Sequence, residues 1–102
     1  MIANYKSEYS KQLVEHMSKG YTVESFGVLI NESKETLSNW LNTNSEFKEA
    51  ERLGNKQARK WAENQPFSVA IMFYIKNRLP NEYEEIKEII LKKNKVTFNE
   101  NS

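Results

Sequence analysis

"TVESFGVLINESKETLSNWL", Thr22 to Leu41, is the stretch that decides how this chain is read. Thr22 is a capping residue, and the run after it is helical to about Ile30. Ser33, another capping residue, opens a further helix to about Asn42, with Leu37, Trp40 and Leu41 on its inner face. Two short helices that cross closely need a tiny residue at the crossing, and Gly27 supplies it. The turn between them needs a residue tolerant of positive φ, and Asn31, four positions on, is the next best choice after glycine. Ile30 closes the first helix against the second. Glu32, where an apolar residue is usual, is the one departure. The register of Gly27, Asn31, Ser33 and Leu37 predicts a helix-turn-helix, the commonest protein reader of the DNA major groove. The stretch nevertheless carries one lysine, Lys34, against Glu24, Glu32 and Glu35.

The rest of the 102 residues also reads as helix. Tyr5, Tyr9, Leu13 and Met17 recur every four residues, which predicts a first helix over about 6–19 ended by Gly20. After the polar "NTNS", Ser45 is the expected cap of a helix to about Asn64, before Pro66. Phe47, Ala50, Leu53, Gly54, Ala58 and Trp61 form its apolar face. From about Phe67 to Leu79 a fifth helix is apolar nearly all round, so it is expected to be buried in its own core or in a partner. "NEYE", Asn81–Glu84, reads as a variant capping box for a last helix with Tyr83, Ile86 and Ile90 inside. The expected fold class is all-α, with about six helices. The expected divisions are a helix-turn-helix unit at 1–44, a helical region for core packing and possible oligomerisation at 45–95, and a disordered tail at 96–102.

Net charge is +1, and its distribution says more than its size. Residues 1–44 hold 4 basic and 5 acidic side chains, residues 45–79 hold 7 and 4, and residues 80–102 hold 4 and 5. The positive charge therefore lies behind the helix-turn-helix. In that motif the outward residues of the second helix face base edges: Ser33, Lys34, Glu35, Ser38, Asn39 and Asn42. Asn pairs with adenine in a bidentate manner, and Glu accepts from cytosine N4. Arg52, Lys56, Arg59 and Lys60 lie opposite the apolar face of the fourth helix and are the candidates for phosphate contact. Four such contacts correspond to a salt slope of roughly −3.6, a weak grip for one copy, so several copies are expected to act together. Trp61, Phe67, Phe73 and Tyr74 are the candidate anchors of an oligomer interface.

No catalytic, metal or cofactor signal emerges. There is no cysteine, and the single histidine, His16, reads as a packing-edge residue beside Tyr9 and Leu13. Three glycines form no phosphate loop. "NEYEEIKE" reads as a solvated helix start rather than an acid–base site. The opening "MIANYKSEYSKQLVEH" lacks the pattern of a signal peptide, and "VAIMFYI" is too short to span a bilayer. The cytoplasm is the expected compartment.

Several pieces, in order, carry a family resemblance. A first helix with "Y…EY…QL.EHMSKG" precedes "SF" and the "SKETLSNWL" reading helix. Then come "SEFKEAERLG" and "FYIKNRLPNEYEE", in which Lys76, Asn77, Arg78, Leu79 and Pro80 end an apolar helix in a turn. This series, over about four fifths of the chain, resembles phage terminase small subunits, the DNA-recognition components of viral genome packaging. The resemblance implies recognition of a packaging start site on double-stranded phage DNA, self-assembly, and delivery of DNA to a large terminase subunit that carries the ATPase and nuclease. It implies work inside a phage- or prophage-infected host cell. A small phage or host transcription regulator would use the same motif. A protein-interaction module would pack the motif on a partner without touching DNA.

Overall fold

The computed structural model describes residues 4–98, which form six α-helices and no strand. They are α1 (Glu8–Met17), α2 (Val23–Ile30), α3 (Lys34–Thr43), α4 (Ser45–Glu63), α5 (Val69–Arg78) and α6 (Tyr83–Asn94), with a 3₁₀ turn at Pro80–Glu82. The chain divides into two compact units, Met1–Ala58 and Arg59–Ser102, and α4 runs through the division. Phe47 and Ala50 lie beyond the 44/45 division expected from sequence, yet both belong to the first core.

The first unit is built on an aromatic cluster. Phe26 and Phe47 are fully buried, and Leu13, Met17, Val23, Leu37, Trp40 and Ala50 complete the core. Tyr5 meets Trp40 and Phe47 edge-on at 5.5 and 5.7 Å, and Tyr9 stacks on Trp40 at 5.5 Å. Each such pair adds about 0.5–1.5 kcal/mol beyond burial of its area. Glu46, in the first turn of α4, holds the entry to α1. Tyr5 Oη donates to its carboxylate at 2.7 Å, and Ser7 Oγ does so at 3.0 Å. Burial, with the Glu46 bond second, pushes the Tyr5 hydroxyl up to about 12.

The α2–turn–α3 crossing follows from the caps at Thr22 and Ser33, the turn at Asn31 and the close approach at Gly27. Thr22 and Ser25 cap α2 reciprocally: Ser25 N–H donates to Thr22 Oγ1 at 2.9 Å, and Thr22 N–H donates to Ser25 Oγ at 3.2 Å. Asn31 takes the left-handed conformation at φ 60°, ψ 46°. The N–H of Glu32 then reaches Gly27 O at 2.8 Å, and that of Asn31 reaches Val28 O at 3.2 Å, the two bonds of a Schellman ending. The backbone closes the helix here, so the polar Glu32 is tolerated where an apolar residue is usual. Ser33 caps α3 by accepting from Thr36 N–H at 3.1 Å. At the crossing, a Cβ on Gly27 would lie 2.6 Å from Leu37 Cδ1 and 3.0 Å from Glu32 O. At the crossing of α1 and α4, a Cβ on Gly54 would run into Met17.

In the second unit, Ala62, Ile71, Met72, Ile75, Leu79, Tyr83, Ile86 and Ile90 form the core. The α5 helix does not bury its whole circumference. Ile71, Met72 and Ile75 face inward, whereas Val69 and Phe73 remain 54% and 62% exposed. Two local expectations are corrected. Asn44, not Ser45, caps α4, accepting from Phe47 N–H at 2.9 Å. The "NEYE" box does not form, because Pro80 starts a 3₁₀ turn and Glu82 occupies the cap position of α6 with no side-chain bond. Of the expected tail, Phe98 packs on Phe67 at 5.6 Å, and residues 99–102 lie outside the described residues.

The crossing yields a graded prediction. Overpacking costs about 1–3 kcal/mol, and replacing a mid-helix Gly with Ala returns up to about 1 kcal/mol of helix propensity. Gly27→Ala should therefore be mildly destabilising and Gly27→Leu severely so. Urea titration of both variants tests this, and an unchanged midpoint for Gly27→Leu would rule out the close crossing.

Candidate nucleic-acid interface

The α3 helix separates its faces cleanly. Thr36, Leu37 and Trp40 are buried, while Lys34, Glu35, Ser38 and Asn42 are exposed. At 100° per residue these four fall within one third of the circumference. Asn39 sits at the edge, half-buried, and its carbonyl accepts from Thr43 Oγ1 at 2.7 Å. Ser33 is exposed, but its hydroxyl is committed to the cap and to Thr36 Oγ1 at 3.1 Å. The exposed arc of α3 is thus Lys34, Glu35, Ser38 and Asn42, flanked by Ser33 at the cap and Asn39 at the edge. Thr43, which extends α3 by one residue, lies on the far side of Asn39.

The four expected phosphate residues separate. Arg52 and Lys56 belong to the first unit, Arg59 and Lys60 to the second. Arg59 is drawn into an ion-pair network: its guanidinium meets Glu82 at 2.8 Å, Glu63 at 3.1 Å and Glu85 at 3.3 Å. The bonds to Glu82 and then Glu63 hold its pKa above the ordinary arginine value. Arg59 is thus a structural residue of the second unit. Arg52 pairs with Glu49 one turn away, through Nε at 2.9 Å, and both groups remain largely exposed. Such a pair adds little stability and is readily exchanged for another anion. Lys56 and Lys60 are exposed.

Sequence reasoning missed Lys48. It is exposed and lies four residues before Arg52, so Lys48, Arg52 and Lys56 form an i, i+4, i+8 row within the first unit. The i, i+4, i+8 spacing is the sequence signal for this row. The first unit as a whole still carries 7 basic and 8 acidic side chains, net −1. Its positive charge is local.

His16 couples α1 to the start of α2. Its Nε2 lies 2.7 Å from Ser25 Oγ, which in turn donates to Thr22 O at 3.0 Å. Which of the two groups donates depends on the tautomer of the ring. Tyr21 stacks on the ring at 4.7 Å. Burial, and secondarily Lys19, hold the His16 pKa below its ordinary 6.5.

Of the four expected interface anchors, Trp61 and Tyr74 meet edge-on at 5.2 Å and Phe67 meets Phe98, all against the second core. Only Phe73 stands out into solvent. Burial raises the Tyr74 hydroxyl pKa. Among the described residues no group of three or more His or Glu side chains could hold a metal ion, and no helix is long and apolar enough to cross a membrane. In comparisons with protein-family models, curated proteins and solved structures, nothing matches the chain.

Two outcomes follow. The unfolded chain takes up a proton on His16 before the folded one does. His16 therefore contributes stability in full above about pH 6.5 that is lost as pH falls through the lower folded-state pKa. His16→Gln, which keeps a donor, should flatten the fall of the urea midpoint between about pH 7.5 and 5; an unaltered pH slope would count against it. Arg59→Met leaves three carboxylates without their shared partner and should cost about 1–2 kcal/mol, below the figure for a fully buried pair. Chemical denaturation followed by circular dichroism measures this.

Proposed function

We propose that this chain is a non-enzymatic DNA-binding protein of the terminase small subunit kind. In this reading α3 enters the major groove, with Lys34, Glu35, Ser38 and Asn42 on base edges, while Lys48, Arg52 and Lys56 hold phosphates. The observation that carries the reading is the α2–α3 geometry: a Gly27–Leu37 approach too close for a Cβ, a left-handed Asn31, and helices capped by Thr22 and Ser33. The order of motifs that resembles terminase small subunits supports the packaging role. That role places the protein in the cytoplasm of an infected cell with a large terminase subunit as partner.

Electrostatics constrain how such a protein would work. Three phosphate contacts give a salt slope of roughly −2.7 per copy. A unit of net −1 adds no long-range attraction, so specific binding requires two or more copies on one DNA. We propose a homo-oligomer on that ground, with the exposed Phe73 its most available anchor.

The test begins with selection of a preferred duplex from a random pool at low salt, followed by anisotropy titrations. Asn42→Ala should lose about 1–3 kcal/mol of preference for the selected duplex over random DNA. Lys56→Ala should weaken binding to both evenly and reduce the salt slope by about 0.9. No binding to any duplex at low salt would reject DNA recognition. Equal losses on selected and random DNA for Asn42→Ala would reject α3 as the reading helix.

A further inference from the structure

The C-terminal half of α2 carries the most exposed large apolar side chains of the first unit among the described residues. Val28 and Leu29 are adjacent and remain 82% and 66% exposed. Both stand outside the core, and neither belongs to the exposed arc of α3. Glu32 follows at the end of α2, four residues after Val28, and its carboxylate has no ion-pair partner among the described residues. The C-terminal pole of α2 adds partial negative charge at the same place. Residues 21–33 hold Glu24 and Glu32 and no lysine or arginine.

The end of α6 is a counterpart of opposite sign. Lys95 takes the left-handed conformation at φ 55°, Lys95 N–H reaches Lys92 O at 3.3 Å and Val96 N–H reaches Leu91 O at 3.1 Å. Such an ending sets the side chain of Val96 beside that of Leu91. Both line an open groove along α6, together with Lys92 and Lys95, and Val96 is 41% exposed. Lys92 pairs with Glu88, and Lys93 donates to Asn64. Lys95 is exposed and has no partner among the described residues. Residues 89–98 hold these three lysines and no acidic side chain.

We propose that these two surfaces meet between copies of the chain. Val28 and Leu29 of one copy seat against Leu91 and Val96 of a second, with Glu32 facing Lys95. Each copy offers two different patches, so the contact is head-to-tail. A two-fold α2–α2 contact would cover the same apolar pair but bring two acidic segments together. Each side supplies only a few side chains, against roughly 20–30 in a standard interface, so the contact is weak alone and acts between copies already held near one another. It shares no residue with the DNA contacts or with Phe73, so it stands or falls apart from them.

The experiment uses the full chain labelled with ¹⁵N, at low salt and without DNA. Every sample carries Phe73→Ser, which silences the other proposed contact. Amide shifts at Val28, Leu29 and Val96 should move together as concentration rises. Glu32→Lys alone and Lys95→Glu alone should each need about fivefold more protein for the same shift, the scale of one exposed ion pair. An equimolar mixture of the two should behave as the chain with neither substitution, because every patch then meets one of opposite charge. If Glu32→Lys disturbs the turn, Lys95→Glu decides alone, and its deficit should vanish at high salt. Shifts that do not depend on concentration, Lys95→Glu matching the chain without it at low salt, or a mixture no better than its components would overturn the proposal.

Discussion

The approach of α2 to α3 at Gly27 and Leu37 sets the terms for the first unit. Two helices of eight and ten residues have too few turns to be stable alone, so they persist through the surface they bury against each other and against α1 and α4. Removing one side chain at the crossing lets Leu37 sit over the α2 backbone, and that proximity brings Trp40 into the cluster of Tyr5, Tyr9 and Phe47. The left-handed Asn31 makes the reversal short enough for the crossing to occur. It costs less than a bulkier residue would there, since Asn is among the few non-glycine residues that visit this conformation readily. The exposed arc of Lys34, Glu35, Ser38 and Asn42 is the face left over once this packing is satisfied.

Charge follows a different logic in the two units. In the first, the cations Lys48, Arg52 and Lys56 remain at the surface, where an exposed pair such as Arg52–Glu49 contributes little and can be exchanged. In the second, Arg59 is three-quarters covered and shared among three carboxylates from α4, the 3₁₀ turn and α6. A guanidinium suits that task because its planar fork of five donors can satisfy several acceptors at once, which an ammonium would do less well. Two residues seven positions apart on one helix thus carry the same formal charge and do opposite work. The difference lies in which carboxylates the fold brings near.

The distinction explains what was legible in the sequence. Helix starts and stops driven by local chemistry were readable: Thr22 and Ser33 as caps, Gly20 and Asn31 as endings, Pro66 and Pro80 as breaks. Core positions set by period, such as Leu13, Met17, Leu37, Trp40, Ile86 and Ile90, were readable too. Partners distant in sequence were not. Glu82 and Glu85 lie 23 and 26 residues from Arg59, and no spacing rule links them. The failed Asn81 box shows competition at short range, where Pro80's fixed φ and the burial of Tyr83 set a 3₁₀ turn in place of a side-chain cap. On the candidate interface, the exposed arc of α3 followed from its period. The role of Ser33 as the cap of α3 was also implied by its position.

On the proposed DNA-binding reading, a nearly neutral first unit would hold DNA through few contacts. Of the seven exposed cations in the first unit, Lys48, Arg52 and Lys56 form a row along α4. A row engages one stretch of backbone, so it orients the protein more than it anchors it. Specificity would then depend on the α3 arc, in which Glu35 repels phosphate and rewards only a correctly placed cytosine amino group. A weak, orienting grip combined with a discriminating face gives low affinity for random DNA. Such a protein gains from multiplicity, because each added copy on the same DNA multiplies a modest preference without raising the nonspecific affinity of any single copy.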